Sequence, residues 1–323
     1  MTDPVSHPPA DSVRSPAPTA GGGLISRADF MALTKARLST LVVVTTFVGF
    51  WVGAGWAGMG WTLVHTVFGT TLTAFGAAVF NQLMEVDADA KMHRTADRPL
   101  PARRLRSEAA FVLGWLLCAV GIIHLGVLVN VESAALAILT LVVYLFIYTP
   151  MKRTSAMNTL VGAVSGALPP VIGWVAAAGG ADAASRHSFQ WSLLAAPQAV
   201  FLFALLFLWQ LPHFVAINWM YREEYIRGGF VMWSNDDVSG AKTSRLALLF
   251  SVLTAVLSLH PWLAGFASPV FAVVGLLLGG WLVWLSLVFC KTRERSAARR
   301  LFFATLLHLP LILLALCLLA KRQ

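Results

Sequence analysis

Charge is what this chain of 323 residues most lacks: Asp, Glu, Lys and Arg make up 12% of it, against 58% hydrophobic residues, and the mean hydropathy is +0.73. No soluble domain of this length needs so much apolar surface, so composition alone places the chain in a bilayer. Cysteine is equally scarce. Cys118, Cys290 and Cys317 stand alone within apolar runs and match neither a metal knuckle nor a CxxCH haem attachment, so they read as small core or lipid-facing residues. Acidic residues are the minority charge, 15 against 24 Lys and Arg, for a formal net charge of +9. That excess calls for no nucleic acid, because membrane orientation and anionic lipid account for most of it. No cleavable signal is read. Residues 1 to about 25 are rich in Pro, Ala, Ser and Gly and read as a disordered tail. Asp3 and Asp11 with only Arg14 do not make a transit peptide, which favours a bacterial inner membrane over an organelle.

Against that background the long hydrophobic runs stand out. A spanning helix needs about 20 mostly apolar residues, and nine candidates fit. Their cores are Leu38 to Gly58, Leu63 to Met84, Glu108 to Val129, Ala134 to Tyr148, Asn158 to Ala178, Leu193 to Trp219, Leu246 to Phe266, Val270 to Cys290 and Leu301 to Ala320. The expected architecture is all-α, a polytopic bundle of nine helices around a central cavity, with residues 26–323 as one domain. Lys and Arg gather in short cytoplasmic connections. With nine spans, every basic residue except Arg186, Lys321 and Arg322 falls on one side. The N-terminus is therefore expected in the cytoplasm and the C-terminus opposite.

The few charges are concentrated. The run NQLMEVDADAKMHRTADRPLPARRLR sets Asn81, Glu85 and Asp89 four residues apart at the end of an apolar stretch. Four-residue steps advance about 40° each around a helix, so these side chains share one face while Asp87 points elsewhere. An amide and two carboxylates in one volume suit Mg²⁺, which takes one or two protein carboxylates and completes its shell with water and phosphate oxygens. Lys91, Arg94 and Arg98 follow at once with charge for a diphosphate. A solvated charged loop that merely ends a helix is the plainer account of the same residues.

A second cluster, FLWQLPHFVAINWMYREEYIRGG, interrupts apolar sequence with Gln210, His213, Asn218, Tyr221, Arg222, Glu223, Glu224 and Tyr225. Polar groups without partners in hydrocarbon cost several kcal/mol each, so these should face the bundle interior or a water-filled opening. Two acidic motifs on one side, each beside basic residues, can hold two Mg²⁺ ions around one diphosphate. Surface pairing of Glu223 and Glu224 with Arg222 and Arg227, and a packed histidine at His213, are the alternatives. A third group, YTPMKRTSAMNTLVGAVSGALPPVIGW, places Lys152 and Arg153 on the same side. Gly162, Gly166 and Gly173 with Pro169 and Pro170 permit either a packing seam or a broken helix where a flat substrate enters.

Taken together, NxxxExDxDxKMxRTxxRPLP, YTPMKRTxxxN with GAxPPxxGW, and WQLPHF with YREEYxxGG resemble the protohaem IX farnesyltransferase branch of the UbiA-type intramembrane prenyltransferases, from about residue 28 to the end. The resemblance implies nine helices and two acidic motifs that bind Mg²⁺ and prenyl diphosphate in a cavity open to the cytoplasm. The implied reaction is attack on farnesyl diphosphate by a vinyl group of protohaem IX, with water supplying a hydroxyl, to give haem O. The implied roles are Asn81, Glu85, Asp89 and Glu223 or Glu224 on Mg²⁺, and Lys91, Arg94, Arg98, Lys152, Arg153 and Arg222 on diphosphate. Tyr148, Gln210 and His213 are the implied haem contacts. Glu85 and Glu224 stand where the family usually has Asp, one methylene shorter, so neither substitution removes a charge. Two other readings stay open. One is a relative that prenylates an aromatic quinone precursor; the other is a non-catalytic haem-handling or transport protein, although no second copy of the acidic loop suggests inverted repeats. Docking to a haem A synthase or an oxidase assembly factor is left undecided by the sequence.

Overall fold

In the computed structural model, residues 25–55, 60–179 and 187–321 are described, and among them every span is helical. The expected N-terminal tail apart from Ile25, residues 56–58 of the first expected span, Arg186 and Arg322 lie outside the described residues.

A short helix α1 (Arg27–Leu33) leads into α2 (Ala36–Ala54), α3 (Trp61–Asp89) and α4 (Ser107–Leu128). Next come α5 (Val131–Met151), α6 (Asn158–Ala178), the short α7 (Trp191–Ala195) and α8 (Pro197–Met220). After the short α9 (Arg222–Arg227), α10 (Ala241–Leu257) extends through a one-turn α11 (His260–Leu263). The chain closes with α12 (Pro269–Thr292) and α13 (Arg295–Leu319). Among the described residues, nine helical segments are long and apolar enough to cross a membrane, matching the hydropathy count.

Local chemistry sets several of the helix ends. Ser26 accepts from the Asp29 amide and Asn130 from the Ser133 amide, each filling one of the orphan donors of a first turn. Pro197 and Pro269 occupy first-turn positions, where a missing N–H costs nothing.

The helices do not share the burial equally. α6 is the most enclosed span and α4 the least. α3 runs along α4, α2 along α6, and α10 against both α8 and α12. The α2–α6 crossing is close because neither helix carries a side chain there. A Cβ on Gly173 would run into the Thr46 carbonyl, and one on Gly49 into the Pro170 carbonyl.

Of the two readings left open for the glycines and prolines of α6, the broken helix needs correction. α6 is one continuous helix despite Pro169 and Pro170, so the broken helix is not found there. The irregularity lies in α5, where Val142–Tyr148 winds as a π-helix.

The chain alternates ends at every pass, so Lys35, Asp89, Lys152 and α9 gather at one end of the bundle. Asn130, Gln190 and the Ala267–Ala320 bridge lie at the other.

Candidate functional site

The last three turns of α3 hold the first acidic motif. Asn81, Glu85 and Asp89 are 0%, 5% and 1% exposed, so the helix continues buried beyond the apolar run, while Asp87 is exposed as the helical phase required. A buried carboxylate needs an opposite charge and good hydrogen bonds. Each member of the motif receives a cation from a different part of the chain. Lys35 Nζ donates to Asn81 Oδ1 at 2.5 Å, Lys152 Nζ to Glu85 Oε1 at 2.7 Å, and Arg98 Nη1 to Asp89 Oδ2 at 2.5 Å.

Lys35, between α1 and α2, adopts a left-handed backbone (φ 47°), a strained conformation for a side-chain-bearing residue, and this aims its ammonium at the motif. Burial, and then the neighbouring Arg98, pull its pKa down to about 7. Burial also opposes the charge on Lys152, yet Tyr148 and Glu85 beside it hold its pKa above that of an ordinary lysine. Its ammonium sits 4.4 Å from the centre of the Tyr148 ring and 5.8 Å from that of Phe230. The site therefore has a cationic and aromatic wall facing an acidic one.

The second motif reaches the same end through α9. Glu224 turns inward, its Oε2 lying 3.9 Å from Arg94 Nε in the loop after α3, whereas Glu223 is exposed. The Arg94 guanidinium lies over the rings of Tyr221 and Tyr225, 5.3 Å and 4.8 Å from their centres. Arg222 donates to the Asn235 carbonyl at 2.7 Å.

A common floor joins the two arms. Ala88 and Met92 of the first pack with Phe230, Met232 and Tyr225 of the second. The Val231 amide donates to the Lys152 carbonyl and the Asn158 amide to the Val231 carbonyl, both at 2.7 Å. The two acidic segments thus meet over one floor at the same end of the bundle.

Several buried polar atoms there have no hydrogen-bond partner, namely Glu224 Oε2, Arg222 Nε and Asn218 Nδ2. Such atoms are costly unless a bound group completes them. Among the described residues, no three His, Cys, Asp or Glu side chains close on one point. The donors on α3 are instead one carboxamide and two carboxylates, an all-oxygen set of the kind a hard cation accepts.

Other sequence candidates fall differently. Lys91 and Arg153 are exposed at the rim. Gln210 donates to the Ala163 carbonyl and fills the space left by Gly166, while Tyr148 fills that left by Gly162. Those two glycines form a packing seam. His213 faces α13, bonded to Thr305 Oγ1 at 2.8 Å and stacked against Trp209 and Phe302. Sequence reasoning missed Lys35, Tyr144 and Thr149. In the sequence Lys35 is only one of the cations on the expected cytoplasmic side, and its one visible signal is its place just before an apolar run.

Among the described residues, then, nine candidate spans form a bundle with two acidic arms at one end, the architecture of an intramembrane protein. The chain belongs to the UbiA prenyltransferase family, whose sequence model matches residues 42–308. It is similar to the protoheme IX farnesyltransferase of Solibacter usitatus, 40% identical over 293 residues that cover 88% of this chain and 96% of that protein. Among solved structures, a digeranylgeranylglyceryl phosphate synthase shares the fold, with a TM-score of 0.72, 14% identity and coverage of 90% of this chain and 97% of that one. So does a UbiA homolog from Archaeoglobus fulgidus bound to GPP and Mg²⁺, with a TM-score of 0.61, 12% identity and coverage of 89% and 99%.

Proposed function

We propose that this protein transfers the farnesyl group of farnesyl diphosphate to a vinyl group of protohaem IX, making haem O and diphosphate. The observation that supports the reading is the placement of the α3 and α9 acids, with Lys35, Lys152, Arg94 and Arg98, over a shared floor at one end of a membrane bundle. The 40% identity to the Solibacter farnesyltransferase supports the choice of substrates.

The all-oxygen donors of α3 and Glu224 Oε2, which has an ion pair but no hydrogen-bond partner, fit a hard divalent cation. Mg²⁺ held by Asn81, Glu85, Asp89 and Glu224 would offset the charge that develops on the departing diphosphate. The Archaeoglobus homolog, which binds GPP and Mg²⁺, supports the same assignment.

The chain's own residues supply the rest. Lys35, Lys152, Arg94 and Arg98 bind the diphosphate oxygens and stabilise the charge released as the allylic C–O bond breaks. The vinyl π electrons of the porphyrin form the new C–C bond, and water adds to the resulting cation and loses a proton. The fifteen-carbon tail is buried among apolar helices, worth about 0.8 kcal/mol per CH₂. That same apolar surround keeps water from the allyl cation until the C–C bond has formed. Tyr148, stacked on Tyr144 and covered by the Lys152 ammonium, holds that cation in place rather than presenting a free face to the porphyrin. Lys91 and Arg153 at the rim suit its propionates. The reading requires no ligation by His213.

In this proposal residues 26–323 act as one domain of a bacterial inner-membrane protein whose site opens to the cytoplasm. Membranes containing the protein, given haem b and farnesyl diphosphate, should yield haem O on chromatography of extracted haems, and only with Mg²⁺ present. Unchanged haem b under saturating substrates would overturn the reading. Prenylation of an aromatic acid in the same membranes would favour a quinone-pathway acceptor instead.

A further inference from the structure

Asn81 is the only member of the α3 motif that has a wrong way round. A carboxamide offers an oxygen on one side and an NH₂ on the other, and only the oxygen can approach a cation. Its orientation in the structure follows by elimination. Oδ1 accepts from Lys35 Nζ at 2.5 Å, and the partner on the other side of the carboxamide fixes the assignment. The Thr149 hydroxyl gives its only hydrogen to the Tyr144 carbonyl at 2.8 Å, an acceptor that can offer nothing in return. Its lone pairs are left for Asn81 Nδ2, 3.2 Å away.

The Tyr144 carbonyl is within reach because of the π segment. In that register the Thr149 backbone N–H also goes to Tyr144, five residues back, and the next residue is Pro150, which has no N–H to offer.

We propose that Thr149 is a positioning residue, holding the Asn81 carboxamide with Oδ1 on the face shared by Glu85 and Asp89. Lys35 is a cation with its own affinity for a diphosphate, whereas the neutral Thr149 contact does not depend on where that charge goes. The inference rests on the proposed divalent-cation site. It also gives the irregular winding of α5 a role, since the Tyr144 carbonyl takes the Thr149 hydrogen and leaves that hydroxyl to accept from a buried amide 68 residues away.

The test uses the full-length protein in detergent, with Mn²⁺ as a paramagnetic probe in the presence of inorganic diphosphate, and reads binding by electron paramagnetic resonance. Thr149→Val, nearly isosteric, should weaken Mn²⁺ binding about fivefold, the scale of one neutral hydrogen bond. Thr149→Ser should bind as the wild type does. The decisive comparison adds Asn81→Asp. A carboxylate has no wrong way round, so Thr149→Val should cost nothing further in that background. Wild-type affinity in Thr149→Val, or an equal loss in both backgrounds, would overturn the positioning role. A wild-type protein that binds no Mn²⁺ would remove the cation site itself, and the positioning role with it. Thermal unfolding accompanies each variant, and Thr149→Ala decides in the same way should Thr149→Val not fold.

Discussion

The acids of α3 and those of α9 serve one end of the bundle on different terms. On α3 all three polar side chains are buried, and each is held by a cation from another element at 2.5–2.7 Å. On α9 the inward Glu224 is 20% exposed, its single ion pair spans 3.9 Å, and its neighbour Glu223 lies in solvent. The first arm sits on a long spanning helix, the second on a six-residue helix tied down by Arg222 and the aromatic floor. A fixed arm and a looser one suit a site that must hold a diphosphate in one geometry and still let it leave. Preorganised charge does most where it needs no rearrangement, and this assigns the larger energetic role to α3.

The largest effect should therefore come from α3. Asp89→Asn keeps the shape and leaves Arg98 a hydrogen-bond acceptor but removes the charge. Haem O formation should fall at least about 100-fold, as expected when a preorganised charge is lost, while the protein still inserts and unfolds near the wild-type temperature. Near-normal turnover in this variant would erase the contrast between the arms. On α9, Glu224→Gln should cost about tenfold, the scale of one charge-assisted contact, and Glu223→Gln almost nothing. Kinetics on the two variants side by side decide this, and equal losses would show that the inward and outward assignments are wrong.

The same contrast explains what the sequence revealed. All nine spans were legible because each is a long apolar run, and hydropathy needs no partner to be read. The end of α3 was less so. Buried charge looks like exit from the membrane, so the apolar run stopped at Met84 although the helix carries on to Asp89. What keeps it buried is Lys152 and Arg98, and the Lys152 pairing crosses 67 residues of chain. Lys35 was hidden for the same reason, since its role exists only in the contact with Asn81. The π winding of α5 leaves no periodic trace over seven residues, so Thr149 could not be singled out. Four-residue spacing did place Asn81, Glu85 and Asp89 on one face and Asp87 off it, because helix geometry alone determines that. Neighbouring Glu223 and Glu224 could not be told apart, as either can face inward until the helix is docked.

A smaller effect tests whether the looser arm depends on its aromatic residues. Tyr221 meets two guanidinium groups, Arg94 at 5.3 Å and Arg295 at 6.0 Å from its ring centre. Glu224 alone, at 3.9 Å, does not determine where Arg94 lies, so the faces of Tyr221 and Tyr225 must do part of that work. A cation over an aromatic face at a partly exposed site contributes about 0.5–1 kcal/mol. Tyr221→Leu should thus raise the KM for farnesyl diphosphate about threefold, with kcat little changed. Tyr221→Phe, which keeps the ring and loses only the hydroxyl, should match the wild type. If Phe proves as damaging as Leu, the hydroxyl rather than the ring face positions Arg94, and the second arm is held by hydrogen bonding as the first one is.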